Sequence, residues 1–206
     1  MADTTLTCQS FLATTLSIAK DPNSSEYAYS ELLIYLNKGR DHIHKTLISI
    51  DSDIVLETGT ITLVASTQAY TLPDDFWSMR KKGVYYDDVK PLYRCTHVDV
   101  IRNGTDTTDT YVVAYELTDT QIKVVPIPTA TSVAVDNTLN LEYYARPANL
   151  AISDNMPYKN MFNEPLGFFV DSMARLRLED TSAGYAEIYN LLEEQTLEIA
   201  RLRGKQ

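Results

Sequence analysis

Residues 29–56 read YSELLIYLNKGRDHIHKTLISIDSDIVL, and the period of the apolar side chains changes inside this stretch. From Tyr29 the apolar positions run Leu32, Leu33, Leu36, Ile43, Leu47 and Ile50. That 3.6-residue spacing predicts a helix of about six turns with one inward stripe. Ser24 or Ser25 is placed to cap it, with Glu26 and Glu31 near its positive end. Gly39 interrupts the stripe and marks a site where a second helix can approach closely. Past Asp51 the helical spacing ends and short β-branched runs begin, first at Ile54-Val55-Leu56.

Working outward on the N-terminal side, Thr7 to Lys20 predicts a short, weakly amphipathic helix. It carries Phe11, Leu12, Leu16 and Ala19 on one side and is ended by Asp21-Pro22-Asn23. On the C-terminal side, residues 51–149 hold short runs rich in β-branched and aromatic residues, broken by Gly, Pro, Asp, Asn and Thr. Predicted strands are 54–56, 61–64, 68–72, 83–86, 89–94, 98–101, 111–115, 121–125 and 139–144, with Asn103-Gly104 as a turn signal. Residues 150–206 return to helix. Pro165 starts one run, with Phe169, Met173, Leu176 and Leu178 on its apolar side. Thr181 or Ser182 caps a last helix with Ile188, Leu191, Leu192, Ile199 and Leu202 inward, Glu187 early and Arg201, Arg203 and Lys205 late. The expected fold is α+β. Residues 1–50 and 150–206 form a helical bundle domain, and residues 51–149 form an inserted small antiparallel β-sandwich or barrel.

Charge limits the function. Eighteen Lys and Arg face 28 Asp and Glu, a formal net charge of −10. A protein that grips nucleic acid through phosphates shows the opposite balance, so sequence-specific DNA binding is not expected. An acidic surface that DNA passes without adhering remains compatible. The residues before Phe11 carry no Lys or Arg, which argues against a secretory signal. No apolar run approaches the ~20 residues that span a bilayer, so no membrane partner is expected. Cys8 and Cys95 form no CxxC and suit a reducing compartment. A chain of 206 residues buries roughly 70% of its unfolded surface and needs no disulfide or metal to fold.

Catalytic constellations are weak. His42 and His44 are two apart on a helix and point about 200° from each other, so they cannot share a metal. Cys95 and His97 share a strand face without a visible orienting group. The acidic pairs, such as Asp51 with Asp53, Asp87-Asp88 and Glu193-Glu194, sit in turn-like or solvated contexts rather than in one cleft. No enzyme, no cofactor and no metal site is expected. Fourteen tyrosines against one tryptophan and five phenylalanines favour interfaces, with strand packing accounting for many of them. A carbohydrate- or receptor-binding β module is the alternative reading of the same tyrosines.

The segment Ala69-Tyr70-Thr71-Leu72-Pro73-Asp74-Asp75-Phe76 resembles a phrase in head-to-tail adaptor (connector) proteins of tailed bacteriophages, relatives of the tail tubular gatekeeper ring of short-tailed phages. Pro73 keeps Leu72 extended, Asp74 or Asp75 caps a turn, and Phe76 with Trp77 anchors it, so that the six residues from Leu72 to Trp77 form a hinge and anchor. Leu141-Glu-Tyr-Tyr-Ala-Arg-Pro147, a Pro-bounded segment from Met156-Pro157 to Pro165, and two closing helices extend the resemblance over nearly the whole chain. It implies a structural virion neck protein, self-associating as a ring (in many relatives a dodecamer) beneath the portal protein. It further implies contact with tail, stopper or nozzle proteins, and a channel through which DNA passes. Some such adaptors carry a C-terminal arm that reaches into the portal. Here the sequence ends at Gln206 just after its last helix, so the portal contact is expected from the helix surface, through Glu193, Glu194, Glu198, Arg201 and Arg203.

Overall fold

The computed structural model describes residues 6–18, 27–86, 90–95, 112–179 and 184–203. Its helices are α1 (Cys8–Ile18), α2 (Tyr29–Ser49), α3 (Ala130–Val135), α4 (Asn163–Glu179) and α5 (Tyr185–Arg203). Its strands are β1 (Leu56–Thr62), β2 (Ala69–Thr71), β3 (Phe76–Tyr86), β4 (Lys90–Pro91), β5 (Tyr93–Arg94), β6 (Ala114–Leu117), β7 (Gln121–Val125) and β8 (Thr138–Ala145). The fold is α+β, with helices at both chain ends around inserted sheets. The chain divides into two compact units, Met1–Val55 with Pro147–Gln206, and Leu56–Arg146.

In the helical unit, α2 turns Leu32, Leu36, Ile43 and Leu47 inward, as its spacing demands. Gly39 faces α4, and a Cβ there would lie 2.8 Å from Phe169 Cδ1 and 3.0 Å from Leu166 Cδ2. Any side chain would push the two helices apart. Phe11, Leu12 and Leu16 of α1 and Leu166, Phe169, Val170 and Met173 of α4 complete the core. Tyr189 of α5 packs edge-on between His42 (5.1 Å) and Phe169 (5.0 Å). Thr196 is fully buried, and its hydroxyl donates to Leu192 O at 2.7 Å, so it costs no unpaired group.

Three expectations for this unit change. Leu202 is 61% exposed. The inward stripe runs Leu192, Thr196, Ile199 and by helical spacing on to position 203, which leaves Leu202 about 100° away from it. Ile50 is also exposed, because it is the C-cap residue where the backbone leaves α2 (φ −103°). The N-cap of α2 is Ala28, which makes no side-chain hydrogen bond. Ser24, Ser25, Ala19, Thr181, Ser182, Lys205 and the side chain of Leu178 lie outside the described residues.

The sheet unit holds two four-stranded sheets, ordered β1-β8-β3-β4 and β2-β7-β6-β5. Both contribute to one core, Val84, Tyr86, Leu139 and Leu141 from the first and Tyr70, Tyr115, Ile122 and Val124 from the second. Alternation along β8 sends Leu139, Leu141 and Tyr143 into that core. All strand pairs are antiparallel except β5 with β6. Residues 95–113, long enough for a parallel crossover, separate those two.

Several strand bounds differ from those expected. Residues 53–55 form a 3₁₀ turn, entered through Asp51 at φ 55°, so the first strand begins at Leu56. It then continues unbroken to Thr62, taking in Ile61 and Thr62 of the predicted strand at 61–64 and leaving Leu63 and Val64 outside any strand. β3 starts at Phe76 rather than Gly83 and carries an irregularity between Met79 and Val84. There Lys82 adopts φ 61°, and Gly83 packs so close that a Cβ would stand 2.3 Å from Glu142 O. Helix α3 was not expected. It is set by a capping box in which Thr129 accepts from Ser132 N and Ser132 accepts from Thr129 N. Tyr86 Oη then donates into the carbonyls of Ser132 (3.0 Å) and Asp136 (3.1 Å). The predicted strand at 98–101, Asn103-Gly104, Tyr111, Asp87-Asp88 and His97 lie outside the described residues.

Candidate functional site

The Leu72–Trp77 phrase forms the corner at which the chain leaves the second sheet and enters the first. Leu72 is buried, and its N–H donates to Thr120 O at 3.1 Å. Pro73 O accepts from Phe76 N at 2.9 Å, closing a tight turn over the exposed Asp74 and Asp75. Phe76 stacks on Tyr143 at 5.8 Å, and Trp77 is half-buried. Asp75 does more than cap the turn. Its carboxylate accepts from Tyr143 Oη at 3.0 Å and its carbonyl accepts from Arg146 N. Burial, and then the hydrogen bond to Asp75, push the Tyr143 phenol up to about 12.

Glu193, Glu194, Glu198, Arg201 and Arg203 are all exposed on α5. Glu194, Glu198 and Arg201 follow i, i+4, i+7 spacing and share one side of the helix. Glu193 Oε2 stands 3.9 Å from His42 Nε2, outside hydrogen-bond range. Burial lowers the His42 pKa, opposed by Glu193 and reinforced by Lys45, which favours the neutral ring. His44 is buried rather than solvent-facing, with Nδ1 3.3 Å from Tyr158 Oη. Among the described residues no group of three His, Cys, Asp or Glu side chains could hold a metal ion.

The sequence reading missed the polar ties that join the two ends of the chain in the helical unit. Arg40 lies at 2% exposure, donating from Nη1 to Ala148 O and from Nε to Asp41 Oδ1 at 3.0 Å. Asn37 accepts from Leu150 N at 2.8 Å and donates to Leu150 O at 3.2 Å. Cys8 N and Gln9 N, unpaired at the start of α1, donate to Asp154 O (2.8 Å) and Ile152 O (3.0 Å). The available signal was Arg40 itself, a charge at an inward position between Leu36 and Ile43.

A second missed feature is a groove between α1 and α4, of about 430 Å³, floored by Phe11, Thr15 and Gly167 and edged by Asn163, Phe168 and Asp171. A Cβ on Gly167 would meet Phe11 only at ordinary contact distance, 3.7 Å.

No helix among the described residues is long and apolar enough to cross a membrane. A search of curated protein sequences returned no match. A family model described as SU10 adaptor protein matches residues 7–202, which takes in both helical segments and the sheets between them. With nearly all of the chain matched, the protein belongs to the SU10 adaptor family, structural head–tail adaptors of phage virions.

Proposed function

We propose that the protein is a neck component that assembles as a ring beneath the portal, prolongs the DNA channel and presents a platform to tail, stopper or nozzle proteins. This is the role of the tail tubular gatekeeper proteins that the Leu72–Trp77 phrase resembles, and a dodecamer is the stoichiometry of many of them. The two compact units serve as domains. The helical one faces the portal through Glu193, Glu194, Glu198, Arg201 and Arg203, the sheet one faces the tail, and the Leu72–Trp77 corner is its hinge and anchor.

The observation that carries this reading is the α5 surface, where five charged side chains stand exposed on a helix whose other side is locked by Leu192 and Thr196. A rigid, charged helix face is a suitable docking element, and a ring contact needs more than about 1,000 Å² per interface. With −10 on each copy, the assembled channel repels DNA and lets it pass without adhering.

Changing Glu193, Glu194 and Glu198 to Lys should abolish co-sedimentation with the portal protein of the same phage, with helicity and melting temperature unchanged. Retained attachment would overturn the docking assignment. Electron microscopy of the chain on portal should show a closed ring.

The carbohydrate-binding alternative has one observation in its favour, an open recess of about 590 Å³ on the first sheet. Tyr85 and the polar Thr58, Thr60, Asn140 and Glu142 are among its lining residues. A sugar-dependent rise in melting temperature would support it.

A further inference from the structure

Copies that each carry −10 repel one another, so a self-contact must lie where the local sign reverses. The end of α5 is such a place. Leu202, 61% exposed, stands between the exposed Arg201 and Arg203, an apolar knob flanked by two guanidinium groups. Arg203 also lines a recess beside Asp51 and Asp53 of its own unit, which leaves Arg201 and Leu202 as the outward pair.

The groove between α1 and α4 is its chemical complement. Phe11 and Gly167 give its floor an apolar part, and the half-exposed Phe168 stands at its edge. Its polar edge consists of acceptors and negative charge, namely Glu164, Asp171 and Asn163. Asn163 Oδ1 and Asp171 Oδ1 are buried atoms with no hydrogen-bond partner among the described residues. Arg175 Nε, at 2.9 Å, occupies only the other carboxylate oxygen of Asp171. An acidic edge beside apolar lining suits an occupant with an apolar body and a cationic head.

We infer that the groove receives the α5 end of a second copy of this chain, with Leu202 over Phe11 and Phe168 and Arg201 donating to Asp171 and Asn163. The occupied surface and the inserted surface differ, so the contact is heterologous and propagates around a closed ring. This inference rests on the ring reading and divides the α5 surface. Glu193, Glu194 and Glu198 remain for the portal, and the tip of the helix turns to the neighbour.

The test uses two variants of the full chain in a Cys95→Ser background, Leu202→Cys and Phe168→Cys, assembled together on the portal protein of the same phage and then oxidised. Rings are first imaged for the wild-type chain. The expected result is a disulfide-linked dimer from the mixture and none from either variant alone. Rings without that dimer overturn this contact and leave the ring reading standing. Wild-type chains that form no ring overturn both.

A charge exchange gives a second readout. Arg201→Glu or Asp171→Arg alone should abolish rings, and the two together should restore them. Failure of the pair to restore what each removes also overturns the contact.

Discussion

The two units hold themselves together in different ways. The helical unit joins stretches more than a hundred positions apart, and beside its apolar packing it uses directed polar ties from α2, Arg40 to Ala148 and Asn37 to Leu150. The sheet unit relies on a shared apolar core and on ladders, and its ion pairs lie between neighbouring strands, as in Arg80 with Glu142 at 3.2 Å and Lys123 with Glu116 at 3.6 Å. A helix satisfies its own backbone, so it must be told which loop to accept, and buried polar side chains supply that instruction. A sheet reads its partner through the backbone and needs fewer such instructions.

The largest expected effect tests the packing common to both. Phe169→Ala should destabilise the helical unit by about 4 kcal/mol, and Ile122→Ala the sheet unit by about 3 kcal/mol. Hydrogen exchange should show each loss confined to its own unit. Next comes the polar tie. Arg40→Met should cost about 2 kcal/mol by urea denaturation, because the charged tie from the buried guanidinium to Ala148 O is lost. A variant as stable as wild type would remove the contrast drawn above.

The two units should also respond oppositely to pH. The raised Tyr143 pKa means the neutral phenol is favoured on folding. Its contribution is fully present below the unfolded value of about 10 and is lost as pH rises through about 12. Tyr143→Phe should remove that alkaline dependence from the sheet unit at a cost of about 1 kcal/mol. The depressed His42 pKa works the other way, with a contribution present above about 6.5 and lost as pH falls below it. His42→Gln should flatten the acid arm of the helical unit, checked by thermal melts from pH 4 to 8. The smallest effect is at Gly167, where Ala fits at contact distance and should raise stability by about 1 kcal/mol through helix propensity.

The same contrast explains what could be read in advance. The periods of α2, α4 and α5 follow from side-chain spacing alone, and Gly39 announced its contact with Phe169 because an absent Cβ within an apolar stripe has few other uses. Strand identity in β7 and β8 was equally plain from alternation. Strand bounds were not. The single strand from Leu56 to Thr62 crosses Gly59, and β3 runs through the polar stretch Arg80–Gly83, both held by pairing with β8 rather than by local preference. Helix α3 is only six residues long and three of them are Val or Thr, so no helical period is visible and its capping box is what sets it. Of the candidate site, the exposure of the charged row on α5 was legible. The α1–α4 groove was not, since its two walls come from opposite ends of the chain.

The insertion has a consequence for biosynthesis. Strands β1 and β8, which open and close the sheet unit, lie side by side with Leu56 opposite Tyr144. Once Arg146 has left the ribosome, every strand that unit needs is available, and it can fold while the rest is still being made. Helices α1 and α2 must wait for α4 and α5, which follow the sheet unit in the chain. The groove and the charged row therefore form only after the sheet unit has been made, because each needs a helix that follows that unit in the chain.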